Sequence, residues 1–470
     1  MAEKDTVTPA SKILTNPDGS GVNRAYIDIM LQDDTPVLCV NRGTQKKRLM
    51  PFKVMYGNNT NFWEKGGDWE YYFMGEDLAK VKEKAVTKTG AWDSIPVKKK
   101  PWEKEEHSSP QGFGDDYTAI AALSAAEKIQ YLNNNKQKLN TLLAQKNKDK
   151  EVVTEALVDT TRDAAIINHA VLEEAMRMGD DEAKKTTQDL VDTTHEMIKS
   201  STQLFSEDVF NNELMNTLVQ KSNGTIVQHM TRVYLNGIAF LSYYNNLVSS
   251  SSAINKIRVS FNTKYRNYYR TLLSHMPIED VILERIFYGG MRAITPDLFF
   301  NWAVGFLIHD IGKASAVQYH EGEAAYDRSI VIEHVKQGYT SIMNKTNYPR
   351  EASLITGYHH EYYGDPEGYG YFRAYLESYR KANPNVKQDY CISYELAPIL
   401  DFHALAYFPA KVLEIIDVYD SVTDPHRVYR KALTPEQAIT MMREEFIDKR
   451  LKVDPILFDI FAAFIKEKHK

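Results

Sequence analysis

The feature that most constrains the fold is a helical spacing of apolar residues that extends over much of the chain from about residue 117. Across Ala119–Leu143 and Val152–Met178, apolar residues recur three or four positions apart, and few residues that break helices interrupt them. Such spacing puts the apolar side chains on one face of a helix, and that face must be buried. The sequence therefore predicts a mainly α fold. The stripe from Ile166 to Met176 belongs either to a core or to a dimer seam.

The chain before this helical region is predicted to form a smaller domain that is rich in strands. Short apolar or aromatic runs separated by turn signals predict these strands. The runs are Ala25–Leu31, Pro36–Val40, Leu49–Tyr56 and Trp69–Met74. The predicted organisation is a flexible N-terminus (1–21), a small β-rich regulatory or interaction domain (22–95), a linker (96–116), a helical connecting region (117–205) and a catalytic domain (206–470).

Charge and cysteine content exclude several classes of protein. Lys and Arg number 57 and Asp and Glu number 63, so the net charge of −6 argues against a nucleic-acid partner. The strongly apolar run Leu298–Ile308 is about half as long as a membrane span. Cys39 and Cys391 lie too far apart in the sequence to form a Cys-rich zinc site, and they suggest a reducing compartment. We expect a cytoplasmic protein without a membrane span, in which any metal is held by His, Asp or Glu.

An adjacent His-Asp pair ends the most apolar predicted helix. The apolar residues Leu307 and Ile308 predict that this end of the helix is buried. His309 and Asp310 would then lie in an interior of low dielectric. An unpaired carboxylate is costly there, and a bound cation is a natural partner. Asp310 offers two oxygens and could bridge two metal ions, while His309 binds one of them. Taken alone, the pair leaves open a hydrogen-bonded couple without metal.

Further histidines and an aspartate occur in similar surroundings along the chain. His229 lies within a helical pattern, and His334 lies on a later helix. His359 and His360 place two imidazoles side by side, and Asp417 follows another apolar run. Each of these residues alone is typical of a structural role. Their order and surroundings together predict a metal site.

The series of motifs resembles the HD-GYP subgroup of the HD-domain metal phosphohydrolases. The chain reads, in order, His229, His309-Asp310-Ile311-Gly312-Lys313, His334 to Gly338, His359-His360-Glu361, Gly368-Tyr369-Gly370, Asp417 to Thr423, and Tyr429 to Leu433. The resemblance covers about residues 207–450. It implies the helical bundle of the HD superfamily for the C-terminal domain.

The resemblance also implies an activity and a set of metal ligands. HD-GYP proteins are phosphodiesterases, so the expected reaction is hydrolysis of cyclic di-GMP to linear pGpG or GMP by a hydroxide that bridges two metal ions. One metal is expected to be bound by His229, His309 and Asp417, the other by His334, His359 and His360, with Asp310 bridging them. Mixed imidazole and carboxylate ligands favour iron or manganese.

The same resemblance assigns residues to the substrate. Asp310 and Lys313 are the expected catalytic residues, because Lys313 follows Asp310 by one turn and can hold a phosphate oxygen. Arg427 and Arg430 are candidates for the second phosphate, with a surface ion pair as the alternative for Arg427.

Tyr369 and Gly370 belong to the loop that borders the substrate in the family. Gly370 stands where the family has proline, and proline fixes the backbone angle φ. We therefore expect a more mobile loop and weaker substrate affinity. On this reasoning, Gly370→Pro should lower KM.

Other functions and partners stay open at this stage. The chain could be a catalytically weak signalling protein that binds cyclic dinucleotides, or an HD phosphohydrolase that acts on another nucleotide. The stretch 214–278 lacks acidic residues and interleaves tyrosines with Lys and Arg. It could form a rim that attracts the dianionic substrate or a docking surface for the N-terminal domain or a second subunit. A homodimer through the helical region 117–205 is the protein partner considered.

Overall fold

In the computed structural model the chain divides into two units, residues 1–107 and 108–470. The structure describes residues 7–14, 24–33, 35–44, 46–58, 63, 68–74, 77–81, 119–120, 122–145, 149–205, 226–273, 275–313, 328–385, 389–425 and 431–468. The predicted linker 96–116 and the candidate phosphate ligands Arg427 and Arg430 lie outside these residues.

The first unit contains a four-stranded sheet in the order β1-β4-β2-β3, with antiparallel neighbours throughout. Its elements are β1 (Val7–Pro9), α1 (Ala10–Leu14), α2 (Arg24–Asp33), β2 (Pro36–Asn41), β3 (Lys47–Pro51), α3 (Phe52–Asn58) and β4 (Trp69–Met74). Alternate side chains of the strands, among them Val37, Cys39 and Phe73, face a small core to which the helices add Ile27 and Phe52.

Three sequence predictions are wrong in this unit. Ala25–Leu31 forms most of helix α2, and Leu49–Tyr56 is a strand only as far as Pro51, where α3 takes over. Apolar runs this short do not separate a buried strand from a helix by their periodicity. Within the predicted flexible segment 1–21, residues 7–14 form β1 and α1. The predicted small N-terminal domain with a sheet is nevertheless confirmed, and helices α1 to α3 add residues to its core.

The second unit is built almost entirely of helices. In chain order its elements are α4 (Ala125–Leu143), α5 (Lys150–Ala175), α6 (Asp180–Phe205), α7 (Ile226–Ser249), α8 (Ser251–Lys264), α9 (Arg266–Leu272), α10 (Leu283–Ile286), α11 (Pro296–Ile308), α12 (Arg328–Lys345), α13 (Arg350–Tyr358), α14 (Arg373–Ala382), β5 (Asp389–Ser393), α15 (Leu396–Leu400), β6 (Ala404–Tyr407), α16 (Phe408–Thr423), α17 (Pro435–Arg443) and α18 (Pro455–Lys468). Strands β5 and β6 pair in parallel. The predicted mainly α fold is confirmed.

One apolar core runs through the second unit. It includes Ile166 of α5, Tyr234 of α7, Trp302 of α11 and Phe461 of α18, all of which are buried. The helices of the predicted connecting region 117–205 thus pack in the same core as the helices that carry the histidines. The stripe that begins at Ile166 is core within one chain.

Two further findings concern membrane crossing and the state of the cysteines. Among the described helices, none is both long and apolar enough to cross a membrane. Cys39 and Cys391 are buried free thiols, one in each unit.

Candidate metal centre

Five helices of the second unit bring the seven predicted metal ligands together. His229 lies near the start of α7, His334 lies within α12, and Asp417 lies within α16. The two adjacent pairs directly follow helices: His309-Asp310 follows α11 and His359-His360 follows α13. All seven side chains are buried.

Helix α11 ends directly before the His309-Asp310 pair and positions it in the centre. The helix starts at Pro296, after Thr295 accepts a hydrogen bond from the N–H of Leu298, and its last seven residues are all buried. The turn beyond it then passes very close to α12. A Cβ atom on Gly312 would lie 1.9 Å from the carbonyl oxygen of His334, so only glycine fits this approach.

The two oxygens of Asp310 face two different groups of histidines. Oδ1 lies 3.2 Å from Nε2 of His334 and 3.7 Å from Nε2 of His359. Oδ2 lies 3.4 Å from Nε2 of His229 and 3.6 Å from Nε2 of His309. A carboxylate that lies between two sets of imidazole nitrogens is arranged so that it could bridge two cations, one through each oxygen.

The donor atoms form two overlapping groups that could each hold a metal ion. One group is Asp310, His334, His359 and His360, and the other is His229, His309 and Asp310; within each group the donor atoms lie within 4.8 Å of one another. Asp417 borders both groups, because its Oδ1 lies 3.0 Å from Nε2 of His229 and its Oδ2 lies 3.9 Å from Nε2 of His360.

Backbone carbonyls fix the tautomers of two histidines. Nδ1 of His309 donates to the carbonyl of Phe306 over 3.0 Å, and Nδ1 of His359 donates to that of Thr356 over 2.7 Å. Because a carbonyl can only accept, the proton of the neutral ring is on Nδ1 and the lone pair of Nε2 points into the cluster. Burial lowers the pKa of His309 to about 3, which keeps its ring neutral. Histidines that bind metals show this outer hydrogen bond.

A buried ionic network supports His229 from behind. Nδ1 of His229 lies 2.7 Å from Oδ2 of Asp420. Asp420 also accepts from Arg232 Nε over 2.7 Å and from its NH2 group over 2.9 Å. The same NH2 group donates to Asp424 over 2.8 Å. Asp420 therefore fixes the imidazole, Arg232 fixes Asp420, and Asp424 fixes Arg232.

Charges within the centre depend strongly on one another. Burial opposes protonation of His229, but hydrogen bonds to the carboxylates of Asp310, Asp417 and Asp420 raise its pKa to about 10. Burial would raise the pKa of Asp310, but the Lys313 ammonium and the neighbouring histidines hold it well below the usual range. The carboxylates of Asp310 and Asp417 thus face Nε2 of His229, where a metal cation could take the place of a proton.

Several buried donor atoms lack an ordinary hydrogen bond. Within the described part of the chain these include Oδ1 of Asp310 and Nε2 of both His309 and His360. A buried polar atom without a partner costs about 1–3 kcal/mol, and native proteins contain few such atoms. A metal ion would satisfy these atoms together, so the residues present fit a metal centre.

Two predicted substrate residues lie beside the ligands. The Lys313 ammonium donates to Oδ2 of Asp310 and remains partly exposed. The ring of Tyr369 packs against that of His360 with 4.4 Å between the centroids, and Tyr369 is also partly exposed.

The prediction that proline is accommodated at Gly370 is wrong, whereas the greater mobility of the loop and the weaker substrate affinity stay predictions. A Cβ atom on Gly370 would lie 2.1 Å from Oε2 and 3.1 Å from Cα of Glu361. On either side, the amide of Tyr369 donates to His360 and the amide of Tyr371 donates to Gly357, over 2.8 and 2.9 Å. Glycine stands here because the backbone packs directly on Glu361, and proline has no room.

The residues behind His229 are not among those predicted from the sequence, although a signal for them exists. Asp417 and Asp420 are three residues apart on one face of α16, and Asp424 directly follows that helix. His229 and Arg232 are three residues apart on α7 in the same way. A row of acidic residues on an otherwise apolar helix indicates a buried polar network.

The stretch 214–278 packs within its own unit where the structure describes it. Three of its tyrosine hydroxyls donate to aspartates of the C-terminal region: Tyr265 to Asp459, Tyr268 to Asp448 and Tyr269 to Asp454. Arg232 is held in the network behind His229. These tyrosines pack against the C-terminal part of their own unit. The substrate rim and the docking surface for the N-terminal domain or a second subunit both stay predictions.

Comparison of the chain with protein-family models, with curated proteins and with solved structures finds no match. Inference about function therefore depends on the geometry of the metal centre and on the resemblance of the sequence motifs.

Proposed function

We propose that the chain is a metal-dependent phosphodiesterase that hydrolyses cyclic di-GMP to linear pGpG or GMP. The observation that carries this proposal is the position of Asp310, whose two oxygens face separate groups of buried histidines. A pair of metal ions suits hydrolysis of a phosphodiester, because one ion can stabilise the attacking oxygen and the other the leaving oxygen. The order of the motifs, which resembles that of HD-GYP proteins, indicates cyclic di-GMP as the substrate.

The two groups of donor atoms support an assignment of ligands to two ions, and the motif resemblance adds Asp417 to it. His229, His309 and Asp417 would hold one ion, and His334, His359 and His360 the other, with Asp310 shared. When bound, such ions lower the pKa of water toward neutrality and neutralise charge on phosphoryl oxygens. Five imidazoles and no thiolate favour iron or manganese over magnesium, which prefers oxygen ligands.

Residues of the chain itself would bind and orient the substrate. The Lys313 ammonium lies at the edge of the centre and can exchange its contact with Asp310 for a phosphate oxygen. The partly exposed ring of Tyr369 offers a face on which a guanine base can stack. Arg427 and Arg430 stay candidates for the second phosphate.

Turnover by the metal-loaded protein tests the proposal. Full-length protein is loaded with Fe²⁺ or Mn²⁺ and incubated with cyclic di-GMP, and the products are separated by chromatography. We expect pGpG or GMP from the unchanged protein and none from His309→Ala. The exposed residue His403 provides the matched control, so His403→Ala should retain full turnover. Failure of protein that carries two ions per chain to hydrolyse cyclic di-GMP would contradict the proposal.

The alternatives correspond to other outcomes of the same assay. Tight binding of cyclic di-GMP without product would indicate a signalling protein that senses the dinucleotide. Turnover of a linear dinucleotide or a nucleotide monoester alone would indicate a different phosphohydrolase. A cytoplasmic location, which the free cysteines favour, agrees with a role in second-messenger signalling.

A further inference from the structure

The segment that leads from His360 to Tyr369 begins with a strained turn. Tyr362, Tyr363 and Gly364 have φ angles of +48°, +53° and +76°. Two successive tyrosines in the left-handed region are unfavourable for L-residues. Such strain persists only where the surrounding structure holds it.

Two buried carboxylates hold the start of the segment. The amide of Tyr362 donates to Oε1 of Glu414 over 3.1 Å, and the hydroxyl of Tyr363 donates to Oδ2 of Asp454 over 2.8 Å. The Lys411 ammonium pairs with Glu414 and lies 3.6 Å from the centroid of the Tyr363 ring. These contacts fix both tyrosines in their strained conformation.

An ion pair holds the far end of the segment. Glu367 accepts hydrogen bonds from Nζ of Lys452 over 2.5 Å and from Nη1 of Arg450 over 2.9 Å. Lys452 is only 5% exposed, so its ammonium is a buried cation directed at the loop. Its carbonyl oxygen in turn accepts from Nζ of Lys411 over 3.1 Å. Lys452 therefore connects the two ends of the segment.

We propose that Glu367 and Lys452 are positioning residues that set the location of Tyr369 beside the metal centre. Tyr369 follows Glu367 by two residues, and its amide donates to the carbonyl of His360. Its ring packs against the ring of His360. The consequence for substrate binding rests on the proposed function. In that case the ion pair between Glu367 and Lys452 sets the affinity for the dinucleotide, while the metal ligands set the rate of the chemical step.

Hydrogen exchange tests the positioning itself and needs no substrate. Amide exchange is measured in full-length Glu367→Gln and Lys452→Met. Lys449→Met is the matched control, because Lys449 is a neighbouring lysine whose exposed ion pair with Glu445 does not touch the loop. We expect exchange of the Tyr369 amide to accelerate about ten-fold in the first two variants and to stay unchanged in the control.

Unchanged exchange at Tyr369 in Glu367→Gln would overturn the proposal, whatever the substrate is. Glu367 is only partly buried, so this variant should fold even if Lys452→Met does not.

Steady-state kinetics tests the consequence for substrate. In Glu367→Gln we expect KM for cyclic di-GMP to rise about ten-fold, with kcat within about two-fold and metal content unchanged. In a Tyr369→Ala background the same substitution should have no further effect on KM. An equal effect in both backgrounds, or a loss of metal, would overturn the role assigned to the ion pair. A wild-type protein without turnover would contradict the proposed function alone, and hydrogen exchange would still decide the positioning.

Discussion

Replacing Asp420 with asparagine isolates the support behind one of the two proposed ions. Asp420 makes three hydrogen bonds to charged or chargeable groups, one to Nδ1 of His229 and two to Arg232. Only the first of them concerns a candidate metal ligand. Asparagine has nearly the same shape and keeps one acceptor oxygen, but it removes the negative charge.

The expected loss in metal affinity follows from these contacts. Removing the outer partner of a metal-binding histidine typically costs 10- to 100-fold in affinity. Because the amide oxygen of Asp420→Asn can still accept from His229, we expect the lower end, about ten-fold or about 1.4 kcal/mol. The group of His334, His359 and His360 does not contact Asp420, so affinity for the second ion should change by less than about two-fold.

Calorimetric titration of metal-free protein with Mn²⁺ measures both affinities, and the matched control is Asp424→Asn. Asp424 bonds to Arg232 but not to His229. Each variant weakens a buried ionic network, so both should lower the melting temperature. Only Asp420→Asn should split the titration into a tight and a weakened step. Equal loss of affinity in both variants, or equal weakening of both ions, would refute this reasoning.

Three further predictions concern other parts of the second unit. Lys313→Ala should keep its metals and lose about 10² to 10³ in turnover, since one charge partner of the transition state is removed; unchanged turnover would contradict this role. Gly370→Ala should lower the free energy of unfolding by about 1–3 kcal/mol in a denaturant titration, because its Cβ overlaps Glu361; unaltered stability would show that Glu361 moves aside. Burial lowers the pKa of Lys468 to about 7, so the unfolded chain binds more protons between about pH 7 and 10, and stability rises with pH there. Lys468→Met should remove that slope and stabilise the protein by about 1–3 kcal/mol at pH 7; a slope that persists would contradict the assigned pKa.

The helical unit and the residues of the candidate metal centre could be predicted from the sequence because local patterns carry them. Regular apolar spacing indicated α4 and α5, and the apolar run before His309 indicated a buried polar pair. Helix α2 could not be predicted in this way. The run Ala25–Leu31 is too short for its period to be read, and its helical form depends on Ile27 and Met30 facing a core made by distant strands.

The sequence shows polar faces on α7 and α16, but it does not show that they meet, because this contact joins distant parts of the chain. His229 and Asp420 lie 191 residues apart and meet only because α7 packs on α16. The reason for Gly370 is likewise a contact, since the backbone packs on Glu361 after a strained turn. The motifs show that glycine replaces proline at position 370, but they do not show that Glu361 occupies the space beside it.

Anomalous diffraction from crystals of the protein grown with Mn²⁺ tests the central claim most directly. The account predicts two peaks about 3.5–4 Å apart, the usual separation in two-metal sites. One peak should lie among His229, His309 and Asp417 and the other among His334, His359 and His360, with Asp310 within bonding distance of both. A single peak, or peaks bound by other residues while these seven side chains stay hydrogen-bonded to one another, would contradict the two-metal centre.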